Sequence, residues 1–355
     1  MAADGSPAVP VTRPSLLVDG ERDATLTSAL LTMDIVDSTE GLARCTLWLG
    51  NWGSPEGPGF QYFDRRKLDL GKTMAIHLGS DTLFEGRISA LKGRYPEGQP
   101  PQIGLCLEDR LQDLRMVRRT RCFADATLAD VIEQVAGDHG LRADTDLDGP
   151  RHPVLAQLNQ SDLAFLRERA RDEDVQLWAE GDRLKAASRN ARTGRRVELK
   201  WAGTLRSFEV GADLARQRTA LVAGGWDRAN KEAIAHRADA AVVQGELGDG
   251  ESGPALLQQA FGERVDTLAH GLPVDAETAR ALAEAGMRHI ARRFVTGNGV
   301  AETSAALTVG ARLALGGLGP LFDGEYWLTL VHHRFDPRGL RTEIGCERAA
   351  LDRGR

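Results

Sequence analysis

Aromatic residues are scarce in this chain: Phe, Trp and Tyr together make up 5% of its 355 residues. A helical bundle filled with large rings is a poor match for that composition, and 39 glycines point instead to turn-rich β structure. Cysteine is scarce too. Cys45, Cys106, Cys122 and Cys346 form no CxxC pair and have no His at zinc-ligand spacing, which argues against a structural zinc site. They are expected to be reduced thiols acting as small hydrophobes. No window reaches the ~18 apolar residues of a membrane span. The start, MAADGSPAVPVTRP, lacks the basic and apolar regions of a cleaved signal, so synthesis in a cytoplasm is expected. A net charge of -6 gives no overall attraction to nucleic acid or to an anionic membrane.

Motifs for catalysis are also missing. No GxSxG elbow, HExxH or GxGxxG in its βαβ setting occurs. Gly71-Lys72-Thr73 suggests a phosphate loop, but the first glycine would have to stand where Arg66 does, and a strand rather than a helix is expected to follow. His332 and His333 are neighbours on an expected strand and so point to opposite faces, which prevents them from sharing a metal. Glu108 and Asp109 face apart for the same reason. No cofactor, metal or catalytic residue is expected.

What the chain does have is a hydrophobic content of 42% and a length sufficient for two or three domains. Strands are expected at residues 14–18, 29–36, 45–52, 73–78, 82–92 and 102–107. TLADVIEQVAGDHGL reads as a helix, with Thr127 and Asp130 forming a capping box and Gly140 as the stop. A second helix is expected to start at Ser161 and a third to run from Asp275 to Phe294, with Ala279, Leu282, Gly286, Ile290 and Phe294 on its apolar stripe. VQLWAEGDRLKAAS reads as a hairpin. Further strands are expected at 197–201, 205–210, 219–225, 311–315, 326–333 and 342–346.

Two distant segments resemble each other. Leu68 to Asp109 matches Leu307 to Arg348, with Gly71 against Gly310, LFEG at Leu83 against LFDG at Leu321, and Cys106 against Cys346. The expected fold class is α+β, mainly β: two similar β-barrels related by internal duplication, with α/β material inserted. The expected divisions are a flexible arm at 1–12, a first barrel at 13–115, an inserted α/β domain at 116–195, and a second barrel at 196–355 with a helical insertion at about 253–295. Three such chains could present six similar units around an axis.

One cluster competes for a catalytic role. Glu168, Asp172, Glu173 and Asp174 could supply an acid/base pair for a hydrolase acting on cell-wall or carbohydrate substrate. Against this, each has an Arg within helical reach, Arg169 and Glu173 standing at i,i+4, and none lies in an apolar run that would raise its pKa. A solvated helix face, free to meet neighbouring subunits, is expected. A carbohydrate-binding β module is a further alternative.

NQSDLAFLRERARDEDVQLWAEGDRL, beginning at Asn159, resembles the helix-then-hairpin signature of the phage late control protein D family. RCFADATLADVIEQVAGDHGL at Arg121, GWDRANKEAI at Gly225 and GPLFDGEYWLTLVHHRFDPRGLRTEIGCER at Gly319 match in the same order. These are tail hub proteins of contractile phages, related to the hub part of VgrG spikes, and the resemblance spans roughly residues 65 to 350. It implies a homotrimeric baseplate hub in a phage tail or tail-like particle, a pseudo-six-fold ring between a hexameric inner tube and a trimeric spike. VgrG proteins continue into an OB-fold and a β-helical needle. The spike, and any wall-degrading enzyme, are therefore expected on separate chains.

Overall fold

The computed structural model describes residues 13–54, 57–192, 194–227, 230–271 and 273–352. The arm expected at 1–12 lies outside them. In chain order the first part holds β1 (Ser15–Val18), β2 (Glu21–Arg22), α1 (Ala24–Ala29), β3 (Leu30–Ser38), β4 (Arg44–Gly50), β5 (Trp52–Ser54), β6 (Gly57–Phe60), β7 (Thr73–Leu78), β8 (Asp81–Arg94), β9 (Gln102–Glu108) and α2 (Leu111–Arg115). Alternation decides the faces. In β4, Cys45, Leu47 and Leu49 point into a core with Met33, Ile76 and Leu105, while the intervening residues stay half-buried.

A mixed segment follows: β10 (Arg118–Ala126), α3 (Leu128–Asp138), β11 (Arg142–Asp146), β12 (His152–Ser161), α4 (Asp162–Asp172), β13 (Val175–Glu180) and β14 (Arg183–Ser188). The capping box forms at the start of α3, where Thr127 accepts from the Asp130 amide and Asp130 from the Thr127 amide. At the other end Gly140 takes φ +65° and the Leu141 amide returns to the Ala136 carbonyl at 2.9 Å. The core of this segment stacks Phe123 on Phe165 and holds Val131, Ile132, Leu163 and Leu166.

The remainder holds β15 (Arg196–Lys200), β16 (Leu205–Ala212), β17 (Ala220–Asp227), β18 (Glu232–Asp239), a 3-10 turn at Ala240–Glu246, β19 (Glu251–Ser252), α5 (Gly253–Phe261), β20 (Val265–Leu268), α6 (Ala276–Arg292), β21 (Val295–Ala301), β22 (Arg312–Gly316), β23 (Gly324–Asp336), β24 (Gly339–Arg348) and β25 (Ala350–Leu351). Asp275 caps α6 by accepting from the Thr278 amide. Its buried stripe is Ala279, Ala283, Met287 and Ala291. Leu282 and Ile290 flank it, so the expected stripe was centred one position off.

The strands do not form two separate barrels. Among the described residues thirteen strands make one continuous sheet, and no pairing closes either part of it. The sheet has two lobes in the same strand order: β3-β4-β9-β8-β7-β1 and β16-β21-β24-β23-β22-β15. Each lobe has its own core. A seam between β23 and β3, running from Leu330 opposite Ser38 to Phe335 opposite Met33, joins them.

The lobes also share irregularities. A bulge between Leu30 and Thr32 has its counterpart between Leu205 and Ser207, and one between Ile88 and Ala90 has its counterpart between Leu328 and Leu330. Gly71 and Gly310 take φ +84° and +89°, and their amides donate to the carbonyls of Ile88 and Leu328. This turn opens a strand and not a helix. The frame differs in detail from the sequence match. Leu107 faces Ile88 as Cys346 faces Leu328, so Cys346 is equivalent to Leu107 and not to Cys106. LFEG lies within β8, whereas most of LFDG lies in the turn before β23. The outermost pairing is not shared: β1 runs antiparallel to β7, but β15 runs parallel to β22.

Candidate functional site

The acidic cluster sits at the end of α4. Ser161 caps this helix by accepting from the Ala164 amide, and Leu163, Phe165, Leu166 and Ala170 bury its apolar side. Its first-turn Asp162 is almost fully buried. Arg121 Nη2 donates to Asp162 Oδ1 at 2.9 Å, Gln157 Nε2 donates to the same oxygen at 2.8 Å, and His139 Nε2 lies 2.8 Å from Oδ2. Burial pushes this carboxyl up, but the hydrogen bonds from His139 and Gln157 and the charges of Arg121 and Arg119 outweigh it and hold it below the usual range.

Of the four carboxylates named from the sequence, Glu168 and Asp172 share Arg169, while Glu173 and Asp174 part from them. Glu168 is exposed, 2.7 Å from Arg169 and 2.7 Å from the Gln160 amide nitrogen that donates to it. Asp172 meets Arg169 at 3.2 Å, and burial raises its carboxyl, contrary to expectation. The helix ends at Asp172, and Asp174 takes φ +57°. That turn sends Glu173 away from Arg169 to His152 at 2.9 Å, so the expected i,i+4 pair is absent. Asp174 turns the other way, to Arg292 at 2.5 Å. Of the solvated face expected, Glu168 stays exposed, but Glu173 and Asp174 are bound within the chain.

Arg292 is the hub of a buried ionic group. Its side chain, 7% exposed, also contacts Glu246 at 2.6 Å. Nearby, Arg189 donates to Glu347 at 2.6 Å and lies 4.8 Å over the Trp327 ring. Asp174, Arg292, Arg189 and Glu347 line a cleft of about 750 Å³ between α4, α6 and the second lobe, with Arg171, Arg293 and His289 also on its wall. The buried arginines are neutralised by acids of the same chain.

Two further acids stand at the junction of the first lobe and the inserted segment. Burial pushes Asp37 up to about 6 against the opposing charge of Arg192. Burial likewise brings Asp109 to about 6, with the charge of Asp37 adding to it, although the Ala43 and Leu111 amides donate to Asp109 at 2.9 Å. Both folded values exceed the unfolded value of roughly 3.9. The folded chain therefore binds more protons between about pH 4 and pH 6, and stability falls as pH rises through that window. Asp37→Asn is expected to melt higher than the parent at pH 7 and at the same temperature at pH 4. A constant gap across that range in thermal melts would refute the assignment.

The other candidates separate as expected. His333 is buried against the Thr342 hydroxyl, while His332 on the opposite face lies 2.9 Å from Asp34 and 3.2 Å from Glu343. Glu108 pairs with Arg115 at 2.8 Å while Asp109 turns to the Ala43 amide. Cys45 and Cys346 are buried, with the Cys346 thiol pushed up to about 12 by burial, but Cys122 is exposed and does not act as a core hydrophobe. Among the described residues no group of three or more His, Cys, Asp or Glu could hold a metal ion, and no helix is long and apolar enough to cross a membrane. What sequence reasoning missed is the ionic hub. Asp174 and Arg292 are 118 positions apart, and nothing local signals their contact.

Comparison with known proteins bears on this geometry. The family described as the Alg8 N-terminal domain matches residues 10–336. The 43 kDa tail protein of prophage MuSo2 from Shewanella oneidensis is similar in structure, with a TM-score of 0.71 over 96% of this chain and 99% of that one at 13% identity. A tail protein from Neisseria meningitidis MC58 gives 0.65 over 95% and 96%, also at 13% identity. An Escherichia coli component of the type VI secretion system, described as structurally similar to the T4 tail proteins gp27 and gp5, gives 0.58 over 94% of this chain and 76% of its own at 13% identity. No curated protein matches the sequence. The fold is that of phage tail proteins, as the resemblance to the tail hub family implies.

Proposed function

Since this chain belongs to the Alg8 N-terminal domain family and has the phage tail-protein fold, we propose that it is a structural baseplate hub of a contractile injection machine. Three copies would form a six-lobed ring that adapts a hexameric inner tube to a trimeric spike carried on another chain. The observation that carries this reading is the pair of lobes, laid side by side in one sheet with the same strand order and bulges at matching positions. A unit repeated twice per chain is what a three-fold assembly needs in order to face a six-fold one. We ascribe the likeness to duplication of one β unit, with residues 116–195 as the domain inserted between the copies. The protein would be made in a bacterial cytoplasm and built into the particle.

The proposed role is non-enzymatic. The ion pairs of the acidic cluster support this, because Glu168 and Asp172 are both held by Arg169, Glu173 by His152 and Asp174 by Arg292. The test is the native mass of the purified chain alone and with its tube and spike proteins. A mass of three chains, and a six-lobed projection in electron micrographs, is expected. A chain that stays monomeric at every concentration and binds neither protein refutes the hub.

A further inference from the structure

The seam inside the chain has a counterpart with no partner. Along β23, the half from Gly324 to Trp327 pairs with β22, and the half from Leu330 to Phe335 pairs on that same edge with β3 of the other lobe. In the first lobe β8 is the equivalent strand. Its half up to Arg87 pairs with β7, and beyond that residue no described strand pairs with this edge. The equivalent of β3 is β16, which ends the sheet and, apart from a single bridge from Leu205 to Trp201, pairs among the described strands with β21 alone. Unpaired strand edges of this kind are templates for adding another strand.

Burial follows the pairing. On the seam Met33, Ile35, Val331, His333 and Phe335 are buried, and Phe335 belongs to the first lobe's core. Their equivalents Phe208 and Val210 are only half-buried, Leu91 is half-buried, and Gly93 and Tyr95 are exposed, Tyr95 at 65%. Trp52 and Phe60, both exposed, lie against this end of the first lobe, with Phe60 and Tyr95 ring centroids 6.5 Å apart. Charge is complementary as well. On the seam Asp34 lies 2.9 Å from His332 and 3.7 Å from Arg334. The matching bulges and registers make Lys92 equivalent to His332, Arg94 to Arg334 and Glu209 to Asp34.

We propose that a second copy of this chain docks by antiparallel pairing of its β16 with the free half of β8, running from Ala90 opposite Asp213 to Tyr95 opposite Phe208, with Lys92 and Arg94 on Glu209. The pairing reproduces the seam between copies, so every lobe meets its neighbour in the same way. The contact is head-to-tail, which closes into a ring when the rotation permits. It rests on the ring reading above and specifies its interface.

Charge reversal and cross-linking test it. Glu209→Arg, and Lys92→Glu with Arg94→Glu, are each expected to weaken self-association at least tenfold in sedimentation, and all three changes in one chain to restore it. That rescue separates a lost interface from a misfolded chain. In a Cys122→Ser background, Lys92→Cys with Gly211→Cys should cross-link under oxidation into bands at multiples of the chain mass. Leu91→Cys with Gly211→Cys, one residue out of register, should not. Gly211 has room for the new side chain. If the parent chain self-associates but the reversals leave its mass unchanged and no in-register cross-link forms, this pairing is overturned while the ring survives. Should the parent never self-associate, both fall. Unchanged mass is also the result if Lys92 and Arg94 serve only to keep other strands off the edge.

Discussion

Leu166→Asp is expected to unfold the inserted segment, while Glu168→Gln two positions along the same helix leaves it folded. Leu166 is 0% exposed and packs with Leu163, Phe165 and Val131 between α3, α4 and the short sheets. Truncating such a leucine costs about 2 to 5 kcal/mol through lost transfer energy and the cavity left behind. Aspartate adds an ionised group with no cation placed to receive it, for a total well above 5 kcal/mol by the same reasoning, comparable to the whole stability of a typical domain. Glu168 is half-exposed and held by flexible partners, so its loss should fall within about 0.5 kcal/mol. Urea titration followed by circular dichroism measures both. Equal damage would mean that the buried and exposed sides of α4 have been interchanged.

Removing Arg292 is expected to be nearly as severe. Arg292→Met keeps much of the stem but leaves Asp174 and Glu246 facing each other in a largely buried site. Breaking one member out of such a group costs about 3 to 5 kcal/mol, because the remaining charges stay desolvated. The effect should depend on pH with a definite sign. In the parent, burial pushes Glu246 up, but the hydrogen bonds and charge of Arg292 outweigh this and hold it low, so Glu246 contributes stability above the unfolded carboxylate range that is lost on acidification. Without Arg292 burial dominates and the folded carboxyl lies high, so the variant regains stability as pH falls and the gap to the parent narrows. Adding Asp174→Asn and Glu246→Gln should recover most of the loss at pH 7. A gap that widens in acid, or no recovery in the triple variant, would show that packing and not charge holds this group together.

Features written in neighbouring residues were legible in the sequence. The Thr127–Asp130 box, the caps at Ser161 and Asp275, and the hairpin after Val175 are local bargains between side chains and amides, and each appears where it was expected. The turns at Gly71 and Gly310 were legible because their positive φ needs glycine. The register of the two lobes was not, since a bulge shifts pairing without leaving a mark in composition, and Cys106 was set against Cys346 as a result. β10 and β12 escaped notice because RRTRCFADA and HPVLAQLNQS bury few side chains and so lack alternation. α5 lies in the helical insertion expected at about 253–295 but was given no range of its own, although Ser252 caps it and proline suits a first turn. Closure into barrels was inferred from similarity alone, and strand order along a sheet is a long-range property that local pattern does not encode.

The seam between the lobes has a temporal consequence. Phe335 fills the first lobe's core, yet it is made about 300 positions after Met33 of β3, which it faces. During synthesis at about 5 to 20 residues per second, β3 waits many seconds with its edge bare and its core one ring short. A nascent chain is thus exposed to premature pairing with other nascent chains until its last strands emerge. Products of interrupted translation can never complete the first lobe. Only a finished chain has two whole lobes, so in the proposed ring the same contact that joins the lobes would act as a proofreading step on assembly.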